Sequence, residues 1–256
     1  MKILLTADIH YALKQFDWVV AEAEHYDVVI LAGDMLDAGA IASADAQVVV
    51  VRAYLEAIAE RAQVVVCSGN HDLDRRVEGE RVAGWLAGFD GLAVAADGAA
   101  LRLGDVLISV LPWWDGARGK AAVAAQIARD AEARPAGGTW IWAHHAPPAE
   151  SAVSWGGWRH YGDTQLTQAI RRHAPDLVCS GHVHQAPFAQ EGAWADRLGA
   201  TWCFNAGHQP GDVPAHVALH LGEREAAWFS MEGGERLRLA AEDGARARLT
   251  RAPEWL

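Results

Sequence analysis

The chain has 256 residues, 51% of them apolar, with 22 basic against 33 acidic side chains and a formal net charge of −11. That length suits one αβ domain over residues 1–256, no apolar run approaches the roughly 18 residues that span a membrane, and the acidic balance disfavours broad electrostatic binding of nucleic acid. Cys67, Cys179 and Cys203 lie in apolar runs without framework spacing, which reads as buried small hydrophobes in a reducing compartment. A strand starting at residue 2 leaves no room for a signal segment, so the expectation is a cytoplasmic protein.

Short apolar runs at residues 2–7, 27–32, 63–68, 139–143 and 176–180 read as buried strands, each ended by glycine or a polar residue. Helical spacing appears between them. Residues 15–25 place Trp18, Val19, Glu22 and Ala23 at helical intervals. Residues 43–61 contain four consecutive valines, which favour strand locally. Even so, Val48, Val51, Leu55 and Ile58 fall on one face and Arg52, Glu56 and Glu60 on another, which predicts a helix. Residues 77–89 are expected to form a shorter helix. Residues 92–111 switch to short strands with turns at Asp97-Gly98 and Gly104-Asp105, which predicts hairpins. Residues 119–134 are Ala-rich and helical up to Pro135, and residues 164–173 form another helix. Beyond residue 200, strands are expected at 201–204, 216–221, 226–231 and 236–240, forming a second sheet. The charged tail after 241 is assigned no fold.

Five polar stretches follow the apolar runs: Asp8-Ile9-His10, Gly33-Asp34-Met35-Leu36-Asp37, Gly69-Asn70-His71-Asp72, His144-His145 and Gly181-His182-Val183-His184. Strands alternating with helices imply a largely parallel sheet, whose ligand crevice lies at the carboxyl ends of the strands. The five stretches therefore meet in space. Singly, each one is ordinary turn or cap chemistry; five in order, each on a strand end, are not. Oxygen and imidazole donors without thiolate suit one or two divalent ions of the manganese, iron or zinc kind.

The set D-x-H, G-D-x-x-D, G-N-H-D, a lone histidine and G-H-x-H resembles the calcineurin-like metallophosphoesterase superfamily, and the likeness runs from residue 1 to about 207. The resemblance implies an α/β fold, a four-layer αββα sandwich of two mixed sheets flanked by helices. It implies a phosphoesterase with two divalent transition ions: manganese is the first expectation, with iron, zinc or nickel as alternatives. Position by position, it assigns Asp8, His10, Asp34 and His184 to the first ion. Asp34 bridges to a second ion, completed by Asn70, His144 and His182. His144 is taken from the adjacent pair because it leaves the strand first, and His145 stays open. His71 is expected to face the substrate, with Asp37 orienting it. A bridging carboxylate holds two cations about 3.5–4 Å apart, where together they lower the pKa of a shared water. A nearby histidine titrates in the range useful for protonating a leaving oxygen.

The loop 146–163 is long for a connection and starts at a proposed ligand, so Trp155, Arg159, His160 and Tyr161 are candidates for substrate contact. Arg75 and Arg76, after the Gly-Asn-His-Asp stretch, are a second set. Trp113-Trp114 cannot both face the core, and one of them is expected to wall the crevice; His208 is expected near the site. Gly116-Ala117-Arg118-Gly119-Lys120 lacks the spacing of a phosphate loop. The leading reading is a phosphodiesterase for a small molecule such as a nucleotide. The alternatives are a DNA nuclease, for whose capping domain the chain has little room, a phosphomonoesterase, and a non-catalytic scaffold, which intact ligand positions argue against. Relatives specialised for phosphoprotein monoesters place arginines where this chain has Ser68 and Ala38.

Overall fold

The computed structural model describes residues 1–89, 92–239 and 246–256. Its first sheet has a parallel half: β1 (Lys2–Thr6), β2 (Val28–Ala32), β3 (Gln63–Cys67) and β6 (Val94–Ala95). Between β3 and β6, β4 (Arg75–Val77) and β5 (Glu80–Val82) make a separate two-stranded hairpin. The second sheet contains β7 (Ala100–Leu103), β8 (Val106–Val110), β9 (Thr139–Ala143), β10 (Leu177–Ser180), β11 (Ala195–Leu198) and β12 (Thr201–Asn205), in the order β11-β12-β10-β9-β8-β7. β13 (His216–His220), β14 (Glu225–Ser230), β15 (Gly233–Arg238) and β16 (Arg246–Arg248) then extend the first sheet outward from β1, all antiparallel. Both sheets are mixed, because each parallel centre carries antiparallel neighbours.

Strand parity sorts the side chains into layers. Ile3, Leu5, Ile30, Val65, Ile108, Ile141, Cys179 and Phe204 fill the space between the sheets. The alternate residues Leu4, Val29, Leu31, Val64 and Val66 face α1 (Leu13–Glu22) and α2 (Ala44–Ala59). On the far side Leu107, Trp140, Trp142 and Val178 face α3 (Ala117–Glu132) and α4 (Thr164–His173). Three apolar layers between four layers of secondary structure make the αββα sandwich. The valine-rich segment is indeed the helix α2, capped by Ser43 and burying Val51, Leu55 and Ile58. Burial of one face outweighs the small intrinsic penalty of β-branching.

Three expectations fail. Residues 77–89 are not helical: Glu78 and Gly79 both take positive φ (48° and 91°), the geometry of a primed hairpin turn, and only Gly84–Leu86 coils, as a single 3-10 turn. Asp97-Gly98 is not a hairpin within one sheet, since β6 belongs to the first sheet and β7 to the second; the chain crosses between sheets there, and only Gly104-Asp105 closes a hairpin. Of the strands beyond residue 200, only β12 joins the second sheet. β13, β14 and β15 belong to the first, because β13 pairs with the open edge of β1. The expected strand over 236–240 ends at Arg238, and residue 240 and the tail segment 241–245 lie outside the described residues. No helix among the described residues is long and apolar enough to cross a membrane.

Asp163 fastens the helix that follows the long loop. One carboxylate oxygen accepts the Leu166 amide at 2.8 Å as the cap of α4, and the other accepts the Trp114 indole N–H at 3.1 Å. Asp163→Ala is expected to cost about 1–2 kcal/mol, read as a lower urea midpoint at unchanged m-value. A loss below about 0.3 kcal/mol would remove the capping role.

Candidate metal centre

The loops after β1 and β2 are zipped together by backbone bonds: Asp8, His10 and Tyr11 amides donate to the carbonyls of Gly33, Asp34 and Met35 at 2.9–3.0 Å. Asp8, His10, Tyr11, Asp34 and His182 all have φ between 47° and 69°. Left-handed backbone at residues other than glycine costs roughly 1–3 kcal/mol each and persists where the surroundings impose it. Asp72 supplies much of that imposition. Its buried carboxylate accepts the amides of Asp34, Met35, Leu36 and Gly69 at 2.8–2.9 Å, tying the end of β2 to the end of β3. Two glycines are obligatory for close approach. Gly33 has φ +88° and packs directly on the His145 ring, and a Cβ at Gly69 would overlap the Asp34 carboxylate.

These loops bring three overlapping donor groups together. Asp8, His10 and His184 have ligand atoms within 4.8 Å of one another; so do His10, Asp34 and His71, and so do Asp8, Asp34 and His145. His10 Nε2 and His184 Nε2 are 3.1 Å apart, and His184 Nε2 is 3.3 Å from Asp8. His182 donates its amide to Asp8 at 2.9 Å, and its ring stands 5.1 Å from that of His145.

The adjacent histidine pair is placed the opposite way from the sequence expectation. His145 Nε2 lies 3.1 Å from Asp34 and 3.8 Å from Asp8, while its Nδ1 meets the Ala32 carbonyl at 2.7 Å. His144 instead turns outward, where it stacks on Trp114 at 4.4 Å between ring centres and donates Nδ1–H to the Leu111 carbonyl. The cause is parity: Trp140 and Trp142 face the outer helices and Ile141 and Ala143 the inter-sheet core, so the next residues continue outward, then inward.

The electrostatics favour a cation. Burial pushes the Asp8 and Asp34 carboxyls up, but the histidines around them outweigh it and both end below the usual carboxylate range. Burial likewise opposes charge on His145, yet Asp34 and Asp8 raise its pKa to about 9. The two carboxylates thus favour positive charge at this position. His144 and His182, dominated by burial, are pushed down to about 4 and stay neutral. Asn70 Oδ1 and the Nε2 atoms of His144 and His145 are buried without a hydrogen bond, and of these His145 Nε2 stands 3.1 Å from Asp34. Buried polar atoms left unpaired are costly, so a donor orphaned beside two buried carboxylates fits a divalent ion. The thiols do not compete: burial pushes Cys179 up to about 12 and Cys67 well above its ordinary value.

The chain matches the calcineurin-like phosphoesterase family over residues 1–186. It belongs to that family. Membership makes the protein a phosphoesterase of a class that uses divalent metals. No curated protein matches it. Among solved structures, it aligns with the protein TT1561 of Thermus thermophilus at 14% identity and a TM-score of 0.56, covering 96% of this chain and 98% of that one. It aligns also with the purple acid phosphatase PPD1 from yellow lupin (Lupinus luteus) seeds at 14% identity and a TM-score of 0.55, covering 97% of this chain and 52% of that one. At such identities the likeness is one of fold.

Other candidates separate on geometry. Asp37 makes no hydrogen bond or ion pair with His71: its Oδ1 accepts the Gly39 amide, and its backbone pairs with the Gln47 side chain. His71 Nδ1 faces the Ala38 amide at 3.4 Å instead. Arg75 and Arg76 donate to the Gly84 and Gly79 carbonyls of their own segment. His160 is an anchor, with Nδ1 against Ser154 Oγ and the Ser151 carbonyl, and Trp155 packs against it. Trp113 does wall the centre, 5.2 Å from the His182 ring and 5.6 Å from His145. His208 lies beside His184 and His10, its Nδ1 donating to the Asp8 carbonyl at 2.7 Å. Asp72 was visible in the motif, but its four-amide role was not.

The pair contrast is directly testable. His145→Ala is expected to lower affinity for Mn²⁺ at least about tenfold, since even outer-shell partners are worth 10–100-fold. His144→Ala is expected to keep the metal and lose stability. Elemental analysis and calorimetry decide it, and the reverse pattern would restore His144 as the ligand.

Proposed function

We propose that the protein is a metal-dependent phosphodiesterase acting on small-molecule diesters such as nucleotides. Asp8, His10, Asp34 and His184 would hold a first ion, and Asp34, Asn70, His145 and His182 a second, with His145 in the place expected for His144. The observation that carries the reading is the convergence of Asp8, Asp34 and the histidines in three overlapping donor groups; Asn70, whose Oδ1 is buried and unbonded, lies between Gly69 and His71, which both meet Asp34. Manganese suits this oxygen and imidazole set, and iron, zinc and nickel are the alternatives. Such ions, when bound, lower the pKa of a shared water and take up charge on the non-bridging phosphoryl oxygens.

The chain's own residues supply positioning and a proton. An amide only donates, so the Ala38 N–H makes His71 Nδ1 an acceptor and leaves the imidazole proton on Nε2. His71 is half-buried and its ring lies 4.7 Å from that of His10. That places an N–H beside the donor groups, suited to the phosphoryl group or the leaving oxygen. The His71 amide donates to Asp34 Oδ1 at 2.8 Å, so the donor and the bridging carboxylate are held by one turn. Trp113 shields the His145–His182 side from water.

The charge inventory favours diesters. A monoester carries close to two negative charges at neutral pH and a diester one. Among the described residues Asp8 and Asp34 pair only with histidines, Ser68 and Ala38 occupy the positions flanking the motifs, and Arg75 and Arg76 are turned to backbone carbonyls. Among the described residues neither of these guanidinium groups is posed to give the second charge its bidentate contact, and Arg159 is held against the Trp158 and Tyr161 rings. The net charge of −11 argues against a nuclease acting on long nucleic acid. Three unpaired, buried cysteines fit a cytoplasmic setting.

His71→Ala is expected to retain both ions and lose turnover by roughly 10²–10⁴-fold; loss of metal, or near-normal kcat, would make it a ligand or a bystander. Comparing kcat/KM for bis(p-nitrophenyl) phosphate and p-nitrophenyl phosphate with Mn²⁺ tests the ester class. The diester is expected to be at least as good. A tenfold preference for the monoester, about 1.4 kcal/mol of transition-state stabilisation, would move the protein to the phosphomonoesterases.

A further inference from the structure

The segment between β9 and α4 is a stapled hairpin, not a slack connection. The Tyr161 amide donates to the Ser154 carbonyl at 2.8 Å and the Gly156 amide to the Arg159 carbonyl at 2.9 Å. Gly157, at φ +94°, turns the chain between them. Below the hairpin, Asp196 Oδ2 accepts both Ser151 Oγ and the Ala152 amide, at 2.7 and 2.8 Å. His160 closes against Ser154 Oγ at 3.0 Å. A Cβ on Gly156 would enter the Tyr161 ring, so that ring packs directly against the backbone there.

All this fixes a tip made of Trp158 and Arg159. Trp158 is 68% exposed, although the loop beneath it is well packed. The Arg159 guanidinium carbon lies 4.5 Å from the Trp158 ring centre and 4.4 Å from that of Tyr161. A cation against the ring faces orders the two aromatics. Between this tip and the strand end runs a cleft of about 380 Å³, lined by Gly156, Trp158 and Tyr161 on one side and by His182, Val183, His184 and Gln185 on the other. One end of the cleft is therefore the metal centre and the other an indole.

We propose that this cleft takes a planar aromatic arm of the phosphate ester, stacked on Trp158, with phosphorus at the His182–His184 end. The proposal rests on the phosphoesterase reading and gives it a substrate class: esters with an aryl or nucleobase arm. An alkyl chain would gain from continuous apolar walls. Here an indole, a phenol, two imidazoles and an amide line the space, and only Val183 is aliphatic. A flat π-system gains from the exposed indole face, and Gln185 offers a hydrogen bond to its polar edge. Stacking of this kind tolerates different rings, because every base has a π-face.

The test uses the Mn²⁺-loaded full chain and two probes that are not turned over. Phenylphosphonate is expected to bind about tenfold more tightly than methylphosphonate by calorimetry, a difference of about 1.4 kcal/mol. Trp158→Ala is expected to abolish that difference and Trp158→Phe to keep it, with metal content and circular dichroism unchanged. With bis(p-nitrophenyl) phosphate, Trp158→Ala should raise KM about tenfold and move kcat little. Equal binding of the two phosphonates by the wild type, or a difference that survives Trp158→Ala, overturns the proposal. If no ester is hydrolysed and the Trp158-dependent preference for phenylphosphonate persists, the esterase reading fails and the aromatic cleft stands. Turnover without arm discrimination is the opposite outcome.

Discussion

Two carboxylates buried side by side are the constraint on which the rest of the structure depends. Asp8 is fully buried and Asp34 nearly so, and isolated carboxylates in a dry interior cost many kcal/mol unless compensated. The histidines and backbone amides nearby compensate them. His184 and His145 approach Asp8 and Asp34, the His71 and His182 amides donate to the carboxylates, and Asp72 holds the backbone that presents Asp34. The left-handed φ values at Asp8, His10, Asp34 and His182 are the conformational cost of directing these side chains inward at the ends of strands. A fold with no cation to hold would reach comparable stability with apolar residues at those positions, as buried ion pairs rarely outdo well-packed hydrophobes.

Much of the architecture was legible because burial on both faces writes itself as continuous apolar runs. The parallel centres of both sheets and the helices α1, α2, α3 and α4 follow from such runs and from helical spacing. What was not legible depends on pairing across the sheet. Nothing local in residues 216–238 says that β13 takes the free edge of β1 instead of extending the sheet of β12; that choice is made by the edge that remains open. The segment 77–89 failed for a different reason. Glu78-Gly79 can end a strand or interrupt a helix, and the primed turn wins because the flanking residues pair as β4 and β5.

The site shows the same division. Asp8, His10, Asp34, His182 and His184 meet because each follows a buried strand, and that was readable from order and spacing alone. His145 was readable too, from a signal that order in the chain does not carry. In β9 the tryptophans mark the outward parity, so the second histidine, not the first, returns to the inter-sheet side. Asp37 misled because motif position was taken for contact: its carboxylate turns back on Gly39, and the Ala38 amide is what meets His71. Asp72 shows the converse, a motif residue whose importance lies in four backbone amides that no sequence pattern displays.

The centre and the loop beside it are built on separate supports, and this has a functional consequence. The donors hang from the ends of β1, β2, β3, β9 and β10 and are braced by Asp72. The hairpin carrying Trp158 and Arg159 is braced by Asp196 on β11 and by Asp163 at the cap of α4. Few bonds link the two supports; the Asn205 side chain, donating to both the Val153 and Val183 carbonyls, is one that does. Under the proposed reading, substitutions at the hairpin tip change what the cleft accepts while leaving the donors in place, and substitutions at strand ends do the reverse. Such separation lets a site that is rigid for chemical reasons coexist with a rim free to vary, the general arrangement in which loops on a fixed scaffold set specificity. Asn205, fully buried at the junction, is the point where a change on one support reaches the other.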